Sequence, residues 1–334
     1  MVLIDRMQQT AMVHEDVLQL FDIDTRGVFL GPPDHRRDRD LDEETWQDEW
    51  GVTRIKPPGS YWYDLKSSPL AGEISVSDIV NYRWPDPHDP GRTRGLAERV
   101  AQLKRTNYAV VLNLTSGFFT WSQILRGFED WYVDVLLSPH VIGALMDAIL
   151  EVQMAIIADA LNLVGDQVDI VYTADDLGGQ RGPLISPELY RRLCKPRHLR
   201  LLDSIRSRTS APLLLHCCGS VYDLLPDLID LGVNVLNPVQ VGADKMDTAR
   251  LKREFGDRIA FWGGIDSQWV LPYGTVGELE QEVKRRIADL APGGGYVLSA
   301  VHNVQAEVPP DRICHMYAVA KEFGRYPLGL PGAQ

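Results

Sequence analysis

Cysteine is scarce in this chain of 334 residues, which contains only Cys194, Cys217, Cys218 and Cys314. Four cysteines are too few for the disulfide framework of a small secreted protein. Two of them are adjacent in sequence, and adjacent cysteines seldom pair with each other. We therefore expect a protein of a reducing compartment, with the cytoplasm as its location.

Positive charge is also in short supply, since 34 Lys and Arg residues face 46 Asp and Glu residues and the formal net charge is -12. No basic stripe offsets this balance, so a nucleic-acid partner is not expected. The chain lacks an uncharged stretch long enough to cross a bilayer, and its first residues lack the cationic start and long apolar core of a signal peptide. We expect a soluble protein without a membrane partner.

A Gly-x-Gly-x-x-Gly motif after the first strand is missing as well, which argues against a dinucleotide-binding fold. A regular alternation of apolar strands and helices is present instead from about residue 95 to the end. Such alternation is typical of a parallel sheet covered by helices. About eight strands in a chain of this length predict an α/β fold, a (β/α)8 TIM barrel formed by residues 1–334 as one domain. Seven of these strands are predicted near residues 25–30, 108–114, 168–172, 212–215, 233–237, 259–262 and 296–299.

Residues 1–94 differ from this pattern. An N-terminal helix and the first strand are followed by a segment rich in Pro, Asp, Arg and Trp, from residue 31 to 94, that is too long for an ordinary loop. It predicts an inserted layer of loops and hairpins over one end of the barrel. Its aromatic residues either close a pocket over a substrate or form the small core of the layer; they are Trp46, Trp50, Tyr61, Trp62 and Tyr63.

The segment His216-Cys-Cys-Gly219 follows an apolar run that is predicted to be a buried strand. In parallel α/β proteins the residues at the carboxyl ends of strands face the ligand. His216 and Cys218 are two residues apart and lie on the same side of an extended chain, so imidazole and thiolate form half of a zinc site. The alternative for such a pair is a packed histidine beside a small apolar residue.

Other strand ends supply further polar candidates. His302 follows the last strand, and with His216 and Cys218 it completes an open site of three zinc ligands. Asp175 or Asp176 is a candidate fourth ligand or proton acceptor, although both also suit the N-cap of a helix. Gln240 and Asp266 are further catalytic candidates. The expected substrate-binding residues are Asn113, Trp262, Asn303 and Gln305.

Several of these segments resemble the uroporphyrinogen decarboxylase superfamily, and the similarity runs over most of residues 105–325. The segments that carry it are residues 215–220 (Leu-His-Cys-Cys-Gly-Ser), 225–240, 251–258, 261–266 (Phe-Trp-Gly-Gly-Ile-Asp), 293–296 and 302–305. The resemblance implies one of two activities. One is metal-free decarboxylation of a tetrapyrrole that carries many carboxylates. The other is zinc-dependent methyl transfer between a corrinoid protein and a thiol or a small methylated or methoxylated substrate.

The methyltransferase branch is favoured because His216 and Cys218 match its His-x-Cys motif. Members that resemble coenzyme M methyltransferases carry a further cysteine after the last strand, whereas this chain has His302 there. The resemblance thus implies zinc and a cobalamin-type corrinoid on a partner protein as cofactors, with a homodimer as a further expectation. The alternative decarboxylase needs a cluster of arginines, for which Arg36, Arg37, Arg94 and Arg181 are available. A third hypothesis is a corrinoid- or tetrapyrrole-binding protein whose zinc is structural.

Overall fold

The structure is a computed structural model, and it describes residues 3–114 and 117–328. Its strands, in chain order, are β1 (Leu3–Asp5), β2 (Thr10–Ala11), β3 (Thr25–Phe29), β4 (Arg39–Asp40), β5 (Thr45–Gln47), β6 (Thr53–Ile55), β7 (Asp64–Ser67), β8 (Ala109–Asn113), β9 (Ile170–Ala174), β10 (Leu213–His216), β11 (Val235–Asn237), β12 (Ala260–Ile265) and β13 (Tyr296–Ala300).

The helices are α1 (Glu15–Leu20), α2 (Val76–Val80), α3 (Leu96–Leu103), α4 (Phe118–Arg126), α5 (Phe128–Leu137), α6 (Pro139–Val164), α7 (Pro187–Leu193), α8 (Lys195–Arg206), α9 (Leu225–Asp230), α10 (Thr248–Phe255), α11 (Val270–Tyr273), α12 (Val276–Leu290) and α13 (Pro310–Phe323). Short 3-10 helices span Gly165–Gln167 and Tyr222–Leu224.

The chain divides into two compact units. Among the described residues, the first consists of residues 3–15, 24–114, 117–175 and 192–211, and the second of residues 16–23, 176–191 and 212–328. Each unit has its own parallel strands. Whether the whole chain acts as one domain stays a prediction.

In the first unit, β8 pairs in parallel with β3 on one side and with β9 on the other. Val110, Val111 and Leu112 of β8 are all buried, because a central strand of a covered parallel sheet has apolar neighbours on both faces. Asn113 ends this strand and aligns with Phe29 of β3. The carboxyl end of β8 is thus the point at which the apolar run gives way to polar residues.

The segment predicted as an inserted layer contains a four-stranded antiparallel sheet in the order β4-β5-β6-β7. Trp46 and Trp50 are buried within the first unit, and Trp50 stacks on Trp121 with a distance of 4.9 Å between ring centroids. These two tryptophans therefore belong to a small local core. Tyr61 and Trp62, by contrast, are exposed.

Helix α6 is long and apolar enough to cross a membrane by length and composition. However, 61% of its most apolar window is buried inside the protein. A buried helix needs apolar residues all round, so the same composition is expected of a core helix. Among the described residues it is the one helix with this property.

In the second unit, β10, β11, β12 and β13 pair in parallel in that order. His216 aligns with Asn237 at the carboxyl ends of β10 and β11. Helices α12 and α13 pack over β12 and β13 through an apolar cluster that includes Ile265, Leu279, Val283 and Met316. The described residues hold three parallel strands in the first unit and four in the second, with helices between them, which confirms the predicted α/β barrel class.

Candidate metal centre

His216 and Cys218 lie together, as their spacing predicts. His216 is the last residue of β10, and its Nε2 atom is 3.2 Å from Sγ of Cys218. Both side chains are half-buried. The pair is therefore accessible enough to receive a ligand and is still held within the fold.

His302 joins this pair from the segment that follows β13. Its ring centroid is 5.9 Å from that of His216, and the two ring planes are inclined by 69°. Donor atoms of His216, Cys218 and His302 all lie within 4.8 Å of one another. Among the described residues this is the group of histidine, cysteine and carboxylate side chains whose spacing suits a metal ion.

These three residues fit zinc in the chemistry and spacing of their donor atoms. Zinc binds imidazole nitrogen and thiolate sulfur in tetrahedral sites, and a site with three protein ligands keeps a fourth position for water or substrate. With bonds of about 2.0 Å to nitrogen and 2.3 Å to sulfur, a tetrahedral site places these two donors about 3.5 Å apart. The observed 3.2 Å between Nε2 of His216 and Sγ of Cys218 is close to this separation.

The loop after β10 is anchored through its backbone. The N–H of Cys218 donates to Oδ1 of Asp176 at 2.9 Å, and the N–H of Gly219 donates to Oε1 of Gln240 at 2.7 Å. The N–H of Ser220 donates to the carbonyl oxygen of Gly179 at 2.7 Å. Three successive amide groups are thus occupied, which fixes the position of the Cys218 side chain before any metal binds.

Cys217 points away from the donor group. It is buried, and its Sγ atom accepts the N–H of Leu177 at 3.2 Å. Adjacent residues of an extended segment face opposite sides, which explains why one cysteine reaches the site and its neighbour the interior.

Two glycines allow the anchoring segments to approach each other. Gly219 has φ +84°, and a Cβ atom there would lie 2.5 Å from the backbone of Gly178. A Cβ atom on Gly178 would in turn lie 2.4 Å from the carbonyl oxygen of Cys218. No side chain fits at either position without separating the two segments.

Asn237 orients His216 and was not among the predicted site residues. Its amide Nδ2 donates to the carbonyl oxygen of Trp262 at 3.3 Å, which turns its Oδ1 toward His216. Oδ1 lies 2.7 Å from Nδ1 of His216, so that nitrogen carries the hydrogen. The lone pair of His216 is then on Nε2, which is the atom beside Cys218. The signal available in the sequence was its place at the end of the neighbouring strand.

Electrostatics at Cys218 favour the thiol over the thiolate. Burial, and then the negative charge of Asp176 together with its hydrogen bond, raise the pKa of the Cys218 thiol above its ordinary value. A thiolate at this position therefore requires a compensating positive charge nearby.

Comparison with known proteins identifies the family of this chain. The uroporphyrinogen decarboxylase (URO-D) family matches residues 64–323, which is more than half of the sequence. The chain belongs to this family.

Relatives of this URO-D family member include both methyltransferases and uroporphyrinogen decarboxylases. It is 30% identical over 160 residues to the methylcobamide:CoM methyltransferase MtaA of Methanosarcina barkeri, a match that covers 46% of this chain and only 44% of that relative. It is 24% identical over 307 residues to the uroporphyrinogen decarboxylase of Hordeum vulgare, with 84% of this chain and 88% of that protein covered. A solved methyltransferase structure from Methanosarcina mazei shares the fold, with a TM-score of 0.67 and 17% identity over 96% of this chain and 85% of that one.

The two adjacent aspartates of this URO-D family member have different surroundings. Asp175 belongs to the first unit, where its carboxylate accepts the N–H of Phe119 at 3.1 Å and both the N–H and the hydroxyl of Thr120 at 2.9 Å. Its Oδ2 is also 3.2 Å from Nε2 of His198. The side chains of Asp175 and His198 are 2% and 3% exposed, so this is a closed polar cluster.

Asp176 belongs to the second unit and contacts the backbone of Cys218. Neither aspartate is part of the group of three donors, whose members are His216, Cys218 and His302. The structure therefore places Asp176 beside the candidate ligands, as an anchor for the loop that bears one of them.

The remaining predicted residues have varied surroundings in the family fold. Gln240 is buried beneath the Cys218 loop, and Trp262 of β12 contacts Asn237 through its carbonyl oxygen. Asp266 accepts the N–H groups of Gln268 and Trp269, which stabilises the turn before α11. The others take part in local hydrogen bonds to the backbone: Asn113 donates to Val28 and Val111 in the first unit, and Gln305 donates to the carbonyl oxygen of Asn303 in the second.

Proposed function

We propose that this URO-D family member is a zinc-dependent methyltransferase. It transfers a methyl group between a small methylated or methoxylated substrate, or a thiol, and a corrinoid carried by a partner protein in the cytoplasm. The observation that carries the proposal is the spacing of the donor atoms of His216, Cys218 and His302, all within 4.8 Å of one another. The methyltransferases among its relatives support the same class of reaction.

The composition of the donor set points to the kind of group that is activated. Two neutral imidazoles and one thiolate bring one negative charge to the metal. A site with a second thiolate would bring two negative charges and leave the metal a weaker Lewis acid. When bound there, zinc supplies a Lewis acid that polarises an ether or alcohol oxygen or lowers the pKa of a thiol. Because the donor set is poor in thiolate, we favour the activation of an oxygen substituent at least as much as that of a thiol.

The surrounding residues prepare the site. Asn237 holds the hydrogen of His216 on Nδ1 and leaves Nε2 to bind. Asp176 and Gln240 hold successive amide groups of the loop and so fix the thiol of Cys218. We assign to Asp176 and Gln240 the role of positioning the Cys218 loop. A catalytic role for Asp175 and Asp266, and substrate binding by Asn113, Trp262, Asn303 and Gln305, remain proposals that substitution of each residue would test.

The decarboxylase alternative requires arginines that are available for substrate carboxylates. Arg94 forms an ion pair with Asp34, and Arg37 contacts the same carboxylate. Arg36 donates to the carbonyl oxygen of Arg83 at 2.6 Å. Three of the four candidate arginines are thus engaged within the first unit, which supports the metal-dependent proposal over the alternative.

Metal content is the first test. We expect one equivalent of zinc in the purified protein by mass spectrometry of the metal, and His216→Ala, Cys218→Ala and His302→Ala should each lose most of it. Matched controls are His88→Ala and Cys314→Ser, which change an exposed histidine and an exposed cysteine elsewhere. Protein without bound divalent metal, or equal metal content in all five variants, would refute the proposal.

Methyl transfer is the second test. The zinc-loaded protein is mixed with free methylcobalamin and a panel of small thiols and phenols, and loss of the methyl group is followed by the visible spectrum of the cobalamin. We expect turnover that is lost in Cys218→Ala. Decarboxylation of uroporphyrinogen by the metal-free protein, without turnover of methylcobalamin, would instead establish the alternative.

A further inference from the structure

Arg181 of the second unit has no partner for its guanidinium. The residue is exposed, and within the described part of the chain its side chain takes part in no hydrogen bond, ion pair or ring contact. Other arginines of the same unit are bound to carboxylates of the chain itself: Arg191 to Asp227, Arg250 to Glu254 and Arg286 to Glu282. In a chain with a net charge of -12, a guanidinium that meets no carboxylate of its own is available to an external anion.

The backbone of Arg181 is held in a tight hairpin of residues 177–184, which we call the Arg181 hairpin. The N–H of Gly179 donates to the carbonyl oxygen of Gly182 at 2.7 Å, which closes a turn with Gln180 and Arg181 at its tip. A further backbone hydrogen bond of 2.8 Å and an antiparallel bridge join the two arms. The side chain of Arg181 therefore starts from a fixed backbone position.

The Arg181 hairpin is bound to the loop that carries Cys218. The carbonyl oxygen of Gly179 accepts the N–H of Ser220 at 2.7 Å. Two residues of chain span at most about 7 Å, so the Cα atom of Arg181 lies within about this distance of the Cα atom of Gly179. Arg181 is thus a near neighbour of the loop that positions one of the candidate metal ligands.

A second contact anchors the Arg181 hairpin to the loop that follows β11. The carbonyl oxygen of Gln180 accepts the N–H of Asp244 at 2.9 Å. The carboxylate of Asp244 nevertheless forms no ion pair with Arg181 among the described residues. The positive charge of Arg181 therefore stays unneutralised, although an acidic residue belongs to the loop that it contacts.

We propose that Arg181 binds the carboxylate, or a similar single oxyanion, of the small methylated or methoxylated substrate. The assignment rests on the proposed function for the kind of substrate, and it adds the charge of that substrate. A guanidinium binds a carboxylate through two parallel hydrogen bonds, which orient the bound molecule as well as hold it. The other end of a substrate held in this way is free to reach the three donors His216, Cys218 and His302.

The number of free arginines sets the number of anionic groups that we expect on the substrate. Arg36, Arg37 and Arg94 are engaged within the first unit. Of the four arginines considered for a tetrapyrrole with many carboxylates, Arg181 is the one that stays free within the described residues. One guanidinium neutralises one carboxylate, so the site suits a substrate with a single anionic group.

Titration calorimetry with matched pairs of ligands tests the charge directly. The probes are para-methoxybenzoate and methoxyacetate, each compared with its neutral amide. We expect the carboxylate of at least one pair to bind about 10-fold tighter than its amide, the effect of a hydrogen bond to a charged group. Arg181→Gln should remove this preference by weakening the carboxylate alone, and Arg181→Lys should restore part of it. Arg253→Gln is the matched control, because it removes the same charge from an exposed position on α10.

Equal affinity for each carboxylate and its amide, or equal losses in Arg181→Gln and Arg253→Gln, would overturn the proposal. The same holds if Arg181→Gln loses affinity for methylcobalamin, whose phosphodiester is the other oxyanion in the reaction, and keeps its affinity for the carboxylates. Circular dichroism verifies that each variant folds.

Titrations of zinc-loaded and zinc-free protein separate this proposal from the proposed function. A preference for carboxylates in a protein that binds no zinc would support the anion site and refute the zinc-dependent methyltransferase. Zinc-dependent methyl transfer without that preference would refute the anion site alone.

Discussion

Two adjacent residues, Asp175 and Asp176, mark two polar regions of different character. Around Asp175 the carboxylate accepts from Thr120, and the side chains of Asp175 and its neighbour His198 are only 2% and 3% exposed. Around Asp176 lie half-buried side chains whose donor atoms face one another, His216 and Cys218 among them. The difference is one of closure: the Asp175 cluster is closed and satisfied within the fold, whereas the cluster beside Asp176 is partly open and is the one that we propose to bind a metal.

The largest effect should come from Asp175→Ala. The substitution removes the carboxylate that the buried Phe119 and His198 and the half-buried Thr120 share, and we expect a loss of about 3 to 5 kcal/mol in the free energy of unfolding. Asp176→Ala removes an acceptor from a half-buried site and should cost about 1 kcal/mol. Urea denaturation of both variants measures the difference. Equal costs would mean that the two regions do not differ as described.

The next effect concerns zinc rather than stability. Asn237→Leu removes the acceptor that keeps hydrogen on Nδ1 of His216, and we expect zinc affinity to fall about 10- to 100-fold. Competition with a chelator of known affinity measures it. Asn234→Ala is the matched control, because Asn234 lies near the opposite end of β11 and accepts the N–H of Leu213 instead. NMR of the imidazole nitrogens should show a mixture of tautomers at His216 in the Leu variant alone; unchanged tautomer and affinity would contradict the assigned role.

A smaller effect should follow from pH. Burial and Asp176 raise the pKa of Cys218, so its thiol is protonated at neutral pH in the absence of metal. Binding of zinc then releases that proton, and affinity should increase about tenfold for each pH unit between about 6.5 and 8.5. Chelator competition across this range gives the slope. Cys218→Ser should flatten it, and an affinity independent of pH in the native protein would argue against a thiolate ligand.

The grouping of His216, Cys218 and His302 was predictable from the sequence because each of them follows an apolar run that ends as a parallel strand ends. The apolar runs before His216 and His302 end where parallel strands end, and the spacing of two residues placed His216 and Cys218 on one side. The α/β class followed from the same alternation. The antiparallel sheet β4-β5-β6-β7 was foreseen only as hairpins, since its strands are two to four residues long and carry little periodicity.

Other features depend on tertiary contacts that a single sequence does not carry. Alternation indicates that Asp175 and Asp176 face opposite ways, but it does not say which of them meets Cys218. His198 lies within Lys195-Pro-Arg-His-Leu-Arg200, where the flanking charges suggest an exposed helix, and yet its side chain is buried beside Asp175. Asn237 likewise became interpretable only once the amide contact with Trp262 fixed its orientation.

The contact between Gly178 and Gly219 has a consequence for recognising functional equivalents. The candidate ligands are needed for their donor atoms. The two glycines are needed because a side chain at either position would overlap the backbone of the other segment. A chain that kept His-x-Cys but carried alanine at both glycine positions would retain its donor atoms and lose their mutual distance. A useful sequence signature for this site therefore includes two glycines, which are required because they have no side chain.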